Sequence, residues 1–135
     1  MTNEHWKDDP EEQVYPAARS YLSLLVDPRE AKKIAKALAD EPDTVRYKAK
    51  DLLRAAGLPL LAHDDPEVAK DLAKVKVGTK LSPVLLVRSD PLWVADGYHR
   101  ICASYRLDED AEIPCRIVAR TRVTTGRKRT RKASP

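Results

Sequence analysis

Leu92-Trp93-Val94-Ala95-Asp96-Gly97-Tyr98-His99-Arg100-Ile101-Cys102-Ala103 is the stretch that decides the reading of this chain. A short apolar run ends at Asp96-Gly97, and an amphipathic run begins at Tyr98. Tyr98, Ile101, Cys102 and Tyr105 fall at i, i+3, i+4 and i+7 and share one helical face, which the pattern predicts to be buried. A strand that turns through glycine into a helix leaves the first backbone N–H groups of that helix without partners. Together with the helix dipole they form an anion site. His99 and Arg100 add donors in the same turn. Arg100 stays charged at ordinary pH and suits bidentate phosphate contact, and His99 can donate to a phosphate oxygen or relay a proton. Gly97 lets a ligand approach the backbone. The simplest reading is a phosphate pocket. The same residues also fit an ordinary strand-to-helix turn. In that reading Asp96 is a plain N-cap, His99 and Arg100 are solvated, and Tyr98 and Cys102 belong to the core.

Outward from this turn, Pro83 to Val87 is a continuous apolar run, as a buried strand requires. Ser89-Asp90-Pro91 is turn chemistry, and the alternation of Ile113, Cys115 and Ile117 with Pro114, Arg116 and Val118 predicts a last strand. The first half is helical in pattern. Pro16 to Leu25 places Ala18, Tyr21, Leu22 and Leu25 on one face. Asp27-Pro28-Arg29-Glu30 is a helix start, followed by Ala31, Ile34, Ala35 and Leu38 and ended by Pro42. A third helix is expected to group Val45, Ala49, Leu52, Leu53 and Ala56 and to stop at Gly57. Leu58 to Leu61 reads as a short strand or a packed loop. Asp65-Pro66 starts a fourth helix with Val68, Leu72 and Val75 inward. The expectation is a single α+β domain over 1–118, in which the mostly helical residues 1–66 pack on a small mixed sheet formed by residues 67–118.

The segment 67–118 resembles the core of the ParB/sulfiredoxin superfamily. The resemblance rests on Val68-Ala69-Lys70-Asp71-Leu72, Gly78, Pro83-Val84-Leu85-Leu86-Val87, the Gly97-Tyr98-His99-Arg100 helix start and the closing Ile113-Pro114-Cys115-Arg116-Ile117. It implies a ParB/sulfiredoxin-like sheet, a partly open barrel, and nucleotide phosphates bound by Gly97, Tyr98, His99 and Arg100. Lys70, Lys80 and Ser104 are lesser candidates for the same ligand, and lysines on a helix are more often solvated. The implied cofactor is a nucleotide with Mg²⁺, for which Asp96 is the nearest carboxylate; one carboxylate makes no metal site of its own. The chain departs from relatives in two ways. Tyr98 stands where sulfiredoxins carry their catalytic cysteine, which speaks against sulfiredoxin chemistry. The glutamate and first arginine of the ParB Gly-Glu-Arg-Arg motif are absent, so CTP specificity is not implied. The ADP-dependent serine kinases of the superfamily carry a similar Asp-Gly-His-His-Arg turn, and a phosphotransferase or nucleotide hydrolase would draw on Asp96 or His99 as catalytic groups.

The composition bounds the rest. The 135 residues suffice for one domain, no apolar run approaches the ~20 residues of a membrane span, and residues 1–13 are polar and acidic, unlike a signal peptide. Cys102 and Cys115 have neither a metal-ligand spacing nor a disulfide framework, which fits a reducing cytoplasm. The formal charge of +4 conceals an asymmetry. No acidic residue follows Glu112, whereas Arg120, Arg122, Arg127, Lys128, Arg129, Arg131 and Lys132 crowd the end. The segment 119–135 is expected to be a disordered basic tail. Its stretch 120–132 is a candidate contact for nucleic-acid phosphates and equally a solvated terminus without aromatic residues for base stacking.

Overall fold

A computed structural model describes residues 5–120. Its elements are α1 (Val14–Leu22), α2 (Pro28–Asp40), β1 (Val45–Lys48), α3 (Ala49–Ala56), α4 (Pro66–Lys76), β2 (Val84–Arg88), β3 (Trp93–Asp96), α5 (Tyr98–Leu107) and β4 (Glu112–Ala119). The fold is mixed α+β: five helices and one open four-stranded sheet of order β1-β4-β2-β3 among the described residues. The β4–β2 pair is parallel, and the two outer pairs are antiparallel.

Local chemistry sets several boundaries as expected. The Asp27 carboxylate accepts the Glu30 N–H at 2.9 Å with Pro28 in the first turn of α2, and Asp65 accepts the N–H groups of Glu67 and Val68 at the start of α4. Gly57 closes α3 with φ +67°, the left-handed position that glycine occupies without strain. One expected helix is corrected. Val45 does not belong to α3, because Val45-Arg46-Tyr47-Lys48 form β1, with Val45 opposite Cys115 and Tyr47 opposite Ile113. Its period-2 pattern is that of a half-buried strand, but the partner that satisfies its backbone lies far along the chain. Leu58 to Leu61 is a loop whose leucines pack against the core.

The sheet is covered on both faces. Leu85, Val87, Ala95 and Val118 meet Val14, Ala18, Leu22, Ile34 and Leu38 of α1 and α2. Val84, Leu86, Val94, Ile113 and Cys115 meet Leu52 and Leu53 of α3, Val68 of α4, and Ile101 and Cys102 of α5. Double coverage explains the unbroken apolar run of β2. It also corrects the alternation expected in β4: Arg116 is buried instead of facing solvent. Its guanidinium is satisfied by Thr44 Oγ1 at 3.1 Å, the Glu41 carbonyl at 2.7 Å and Asp9 Oδ1 at 2.7 Å, which ties the chain before α1 and the α2–β1 connection to the middle of the sheet.

β4 runs one residue past the expected edge of the domain, to Ala119 opposite Arg88. Arg120 follows in contact, its Nε donating to Glu30 Oε2 at 3.2 Å and its guanidinium 5.0 Å from the Trp93 ring centroid. The rest of the basic segment lies outside the described residues. No described helix is long and apolar enough to cross a membrane.

Candidate functional site

The β3–α5 junction is built around a residue that has to be glycine. Gly97 has φ +116°, and a Cβ placed there would stand 2.5 Å from Val84 Cγ1 and 2.8 Å from Val84 Cβ. Val84 is fully buried in β2 and cannot yield. The chain therefore passes from β3 into α5 pressed against β2. Gly97, not Asp96, is the N-cap, and no side chain caps the helix, so the expected capping role of Asp96 is corrected. The N–H groups of the first turn keep no side-chain partner, and residues 96–100 are all half-exposed. The helices α3 and α4 pack beside α5, whereas α1 and α2 sit on the opposite sheet face.

Asp96 serves Arg100. Arg100 Nη2 is 3.0 Å from Asp96 Oδ2 and 3.3 Å from the Pro83 carbonyl, and its Nε donates to the Ser82 carbonyl at 2.8 Å. Arg100 thus clamps the segment entering β2 to the first turn of α5. Its Nη1 makes no hydrogen bond among the described residues. His99 lies beside Tyr98, ring centroids 5.5 Å apart. Tyr98 donates its hydroxyl to the Pro59 carbonyl at 2.6 Å. It is a brace to the α3–α4 loop, and only its backbone N–H remains for an anion.

The lesser candidates separate. Lys80 is exposed on the turn before β2 and has no ion pair among the described residues. Lys70 is exposed and 3.6 Å from Glu67 Oε1. Ser104, expected on the accessible face with Arg100, is buried one turn further along α5, because α4, α3 and the sheet close around that helix.

One residue of this region escaped the sequence reading as a site residue. Asp71 of α4 is only 8% exposed. Burial pushes its carboxyl above the ordinary value, while the positive charges of Arg100, Lys74 and His99 pull it back. Among the described residues it accepts no hydrogen bond, and its ion-pair neighbour Lys74 is at 4.0 Å. Its signal in sequence was a carboxylate at 71 beside inward-facing Val68 and Leu72, visible only once the helix phase is fixed by Asp65-Pro66. The cysteines are structural. Cys102 and Cys115 are both buried free thiols raised by burial, Cys115 to about 12. No three metal-ligating side chains come together among the described residues.

The arrangement can hold an anion against backbone N–H groups, with a histidine and one edge of an arginine at its side and a buried carboxylate behind. Compared with known proteins, the chain matches no family model, no curated protein and no solved structure.

Proposed function

We propose that this chain is a nucleotide- or phosphate-binding module of the ParB/sulfiredoxin kind, with the anion seated on the first turn of α5. The observation that carries the reading is the uncapped, half-exposed helix start at Gly97, held against β2 where no side chain can intrude. Backbone N–H groups at a helix start favour a phosphate over water. Arg100 supplies positive charge in the same turn, and His99 beside it a further ring donor. The order α4, Gly78, β2, β3, α5, β4 is the order that the resemblance implies.

A second reading, a small phosphotransferase or nucleotide hydrolase, draws on one observation. Asp71 is a buried carboxylate, short of hydrogen-bond donors, within electrostatic reach of His99 and Arg100. A carboxylate with a raised pKa beside a bound phosphate is suited to take a proton from an attacking hydroxyl or water.

A thermal-shift panel of CTP, ATP, ADP, GTP and pyrophosphate, each with and without Mg²⁺, tests the binding reading. A ligand at a hundred times its Kd stabilises by about 2.7 kcal/mol. His99→Ala is expected to weaken the shift at unchanged fold. Arg100→Ala is expected to weaken it further and also to lower the melting temperature, since it releases the clamp on Ser82 and Pro83. No shift with any phosphate compound ends the proposal. Phosphate release or transfer lost in Asp71→Asn, at unchanged ligand affinity, selects the second reading over the first.

A further inference from the structure

The sheet face that carries α5 also holds a cavity that shares no residue with the Gly97 turn. It has a volume of about 190 Å³ and lies between α3 and the sheet, beside the last residue of β2. Leu52 and Leu86, both buried, and Leu92 and Ile117, both half-exposed, give it an apolar lining. The Leu92 N–H donates to the Ala55 carbonyl at 3.0 Å, so the chain entering β3 is fastened to α3 and the cavity has a fixed wall. Three polar side chains complete the lining: Tyr47 of β1, Asp51 of α3 and Arg88 of β2.

The charges at this cavity are unequally engaged. Asp51 is paired with Arg54 at 3.1 Å. Arg88 has no ion pair among the described residues. Its Nη2 reaches the Tyr47 hydroxyl at 3.5 Å, the far limit of a hydrogen bond. A guanidinium is a planar fork whose geometry matches a carboxylate. The Tyr47 hydroxyl accepts from Arg88 and keeps its own proton to donate. A cationic fork and a hydroxyl donor, from strands 41 positions apart in sequence, therefore meet beside an apolar cavity.

We infer that this cavity binds a small carboxylate carrying a single apolar group, a ring or a branched aliphatic chain. The apolar group fills the cavity, and the carboxylate meets Arg88 and Tyr47. Size sets the class of ligand. An apolar cavity of about 150 Å³ takes one benzene, and sites for drug-sized molecules begin at roughly 300 Å³. A volume of about 190 Å³ therefore suits one such group and is too small for a nucleotide. Two sources share this chemistry: a free acid, which leaves Asp51 to Arg54, and an α-amino acid, whose ammonium meets Asp51. The inference does not rest on the ligand assigned to α5.

The test is isothermal titration of the full chain with benzoate, isovalerate, L-phenylalanine and L-leucine, and with the neutral controls benzamide and isovaleramide. At least one of the four carboxylates is expected to bind saturably. The amide of the same shape is expected to bind about tenfold more weakly or worse, the effect of losing one charge-assisted contact. Tighter binding of the amino acids assigns Asp51 to the ammonium, and tighter binding of the free acids leaves it with Arg54; either supports the site. Arg88→Gln is expected to weaken binding about tenfold or more, and Tyr47→Phe to weaken it less. Ala55→Leu, at an exposed position of α3 that lines the cavity, is expected to block it. Lys32→Gln, which removes one charge on the opposite sheet face, is expected to bind as wild type does. Melting curves verify the fold of each variant. The inference is overturned if none of the four carboxylates binds, or if the amides bind as tightly as the acids. Wild-type affinity in Arg88→Gln also overturns it, because the carboxylate would then sit elsewhere, the α5 turn included. Equal weakening in Lys32→Gln and Arg88→Gln would trace the effect to net charge and overturn it as well.

Discussion

Replacing Gly97 by alanine tests whether the β3–α5 turn is held by close backbone approach. The added methyl would meet Val84 Cγ1 at 2.5 Å and Val84 Cβ at 2.8 Å, and Arg100 Nη2 at 3.0 Å. Arg100 could swing aside at the loss of its clamp, but Val84 is fully buried between β4 and β3 and can move only with the sheet. Overpacking of this kind costs about 1–3 kcal/mol. The backbone itself, at φ +116°, adds strain of roughly 1–3 kcal/mol for any residue with a Cβ. A combined loss of about 4 kcal/mol corresponds to a fall in Tm on the order of 10–20 °C for a domain of this size. Gly57→Ala is the matched control: φ is +67° and nothing lies within 4 Å of the new methyl. It bears only left-handed strain of about 1–2 kcal/mol, or a few degrees. Calorimetry on both variants reads the difference directly. If Gly97→Ala melts no lower than Gly57→Ala, the close-approach account of this turn is wrong.

Two further outcomes follow from the buried ionisable groups. Because burial raises the folded-state pKa of Asp71, its contribution to stability is greatest at acid pH and is lost as pH rises through that raised value. Asp71→Asn should therefore melt higher than wild type near neutral pH, with the gap closing as pH falls towards the ordinary carboxylate range; a variant less stable than wild type near neutral pH would refute the sign. Cys102 and Cys115, both fully buried and raised, should resist a thiol reagent at mildly alkaline pH in the native protein and react fully only in denaturant, and prompt labelling of either would contradict the packing around it.

Much of the scaffold was decided by short-range chemistry and was legible in the sequence. Asp27-Pro28 and Asp65-Pro66 cap helices with groups two or three residues away, Gly57 ends one by its own left-handed backbone, and the apolar run of β2 marks a strand covered on both faces. The turn at Gly97 was legible for the same reason, since glycine at a strand-to-helix junction needs no distant partner to be recognised.

What tertiary structure alone decided involves partners far along the chain. Val45 to Lys48 became a strand because β4 offered an antiparallel edge, and Arg116 was drawn inward because Asp9, Glu41 and Thr44 converge on it. Arg100, expected to reach for ligand, is largely committed to Ser82, Pro83 and Asp96, eighteen, seventeen and four positions back in sequence. Ser104 was closed off by α3 and α4, and Asp71 was brought behind the turn by the packing of α4 on α5. Capping, helical period and backbone strain act over a few residues and leave a local pattern. Burial, register and the filling of a guanidinium's donors depend on which surfaces meet, and no local pattern encodes that meeting.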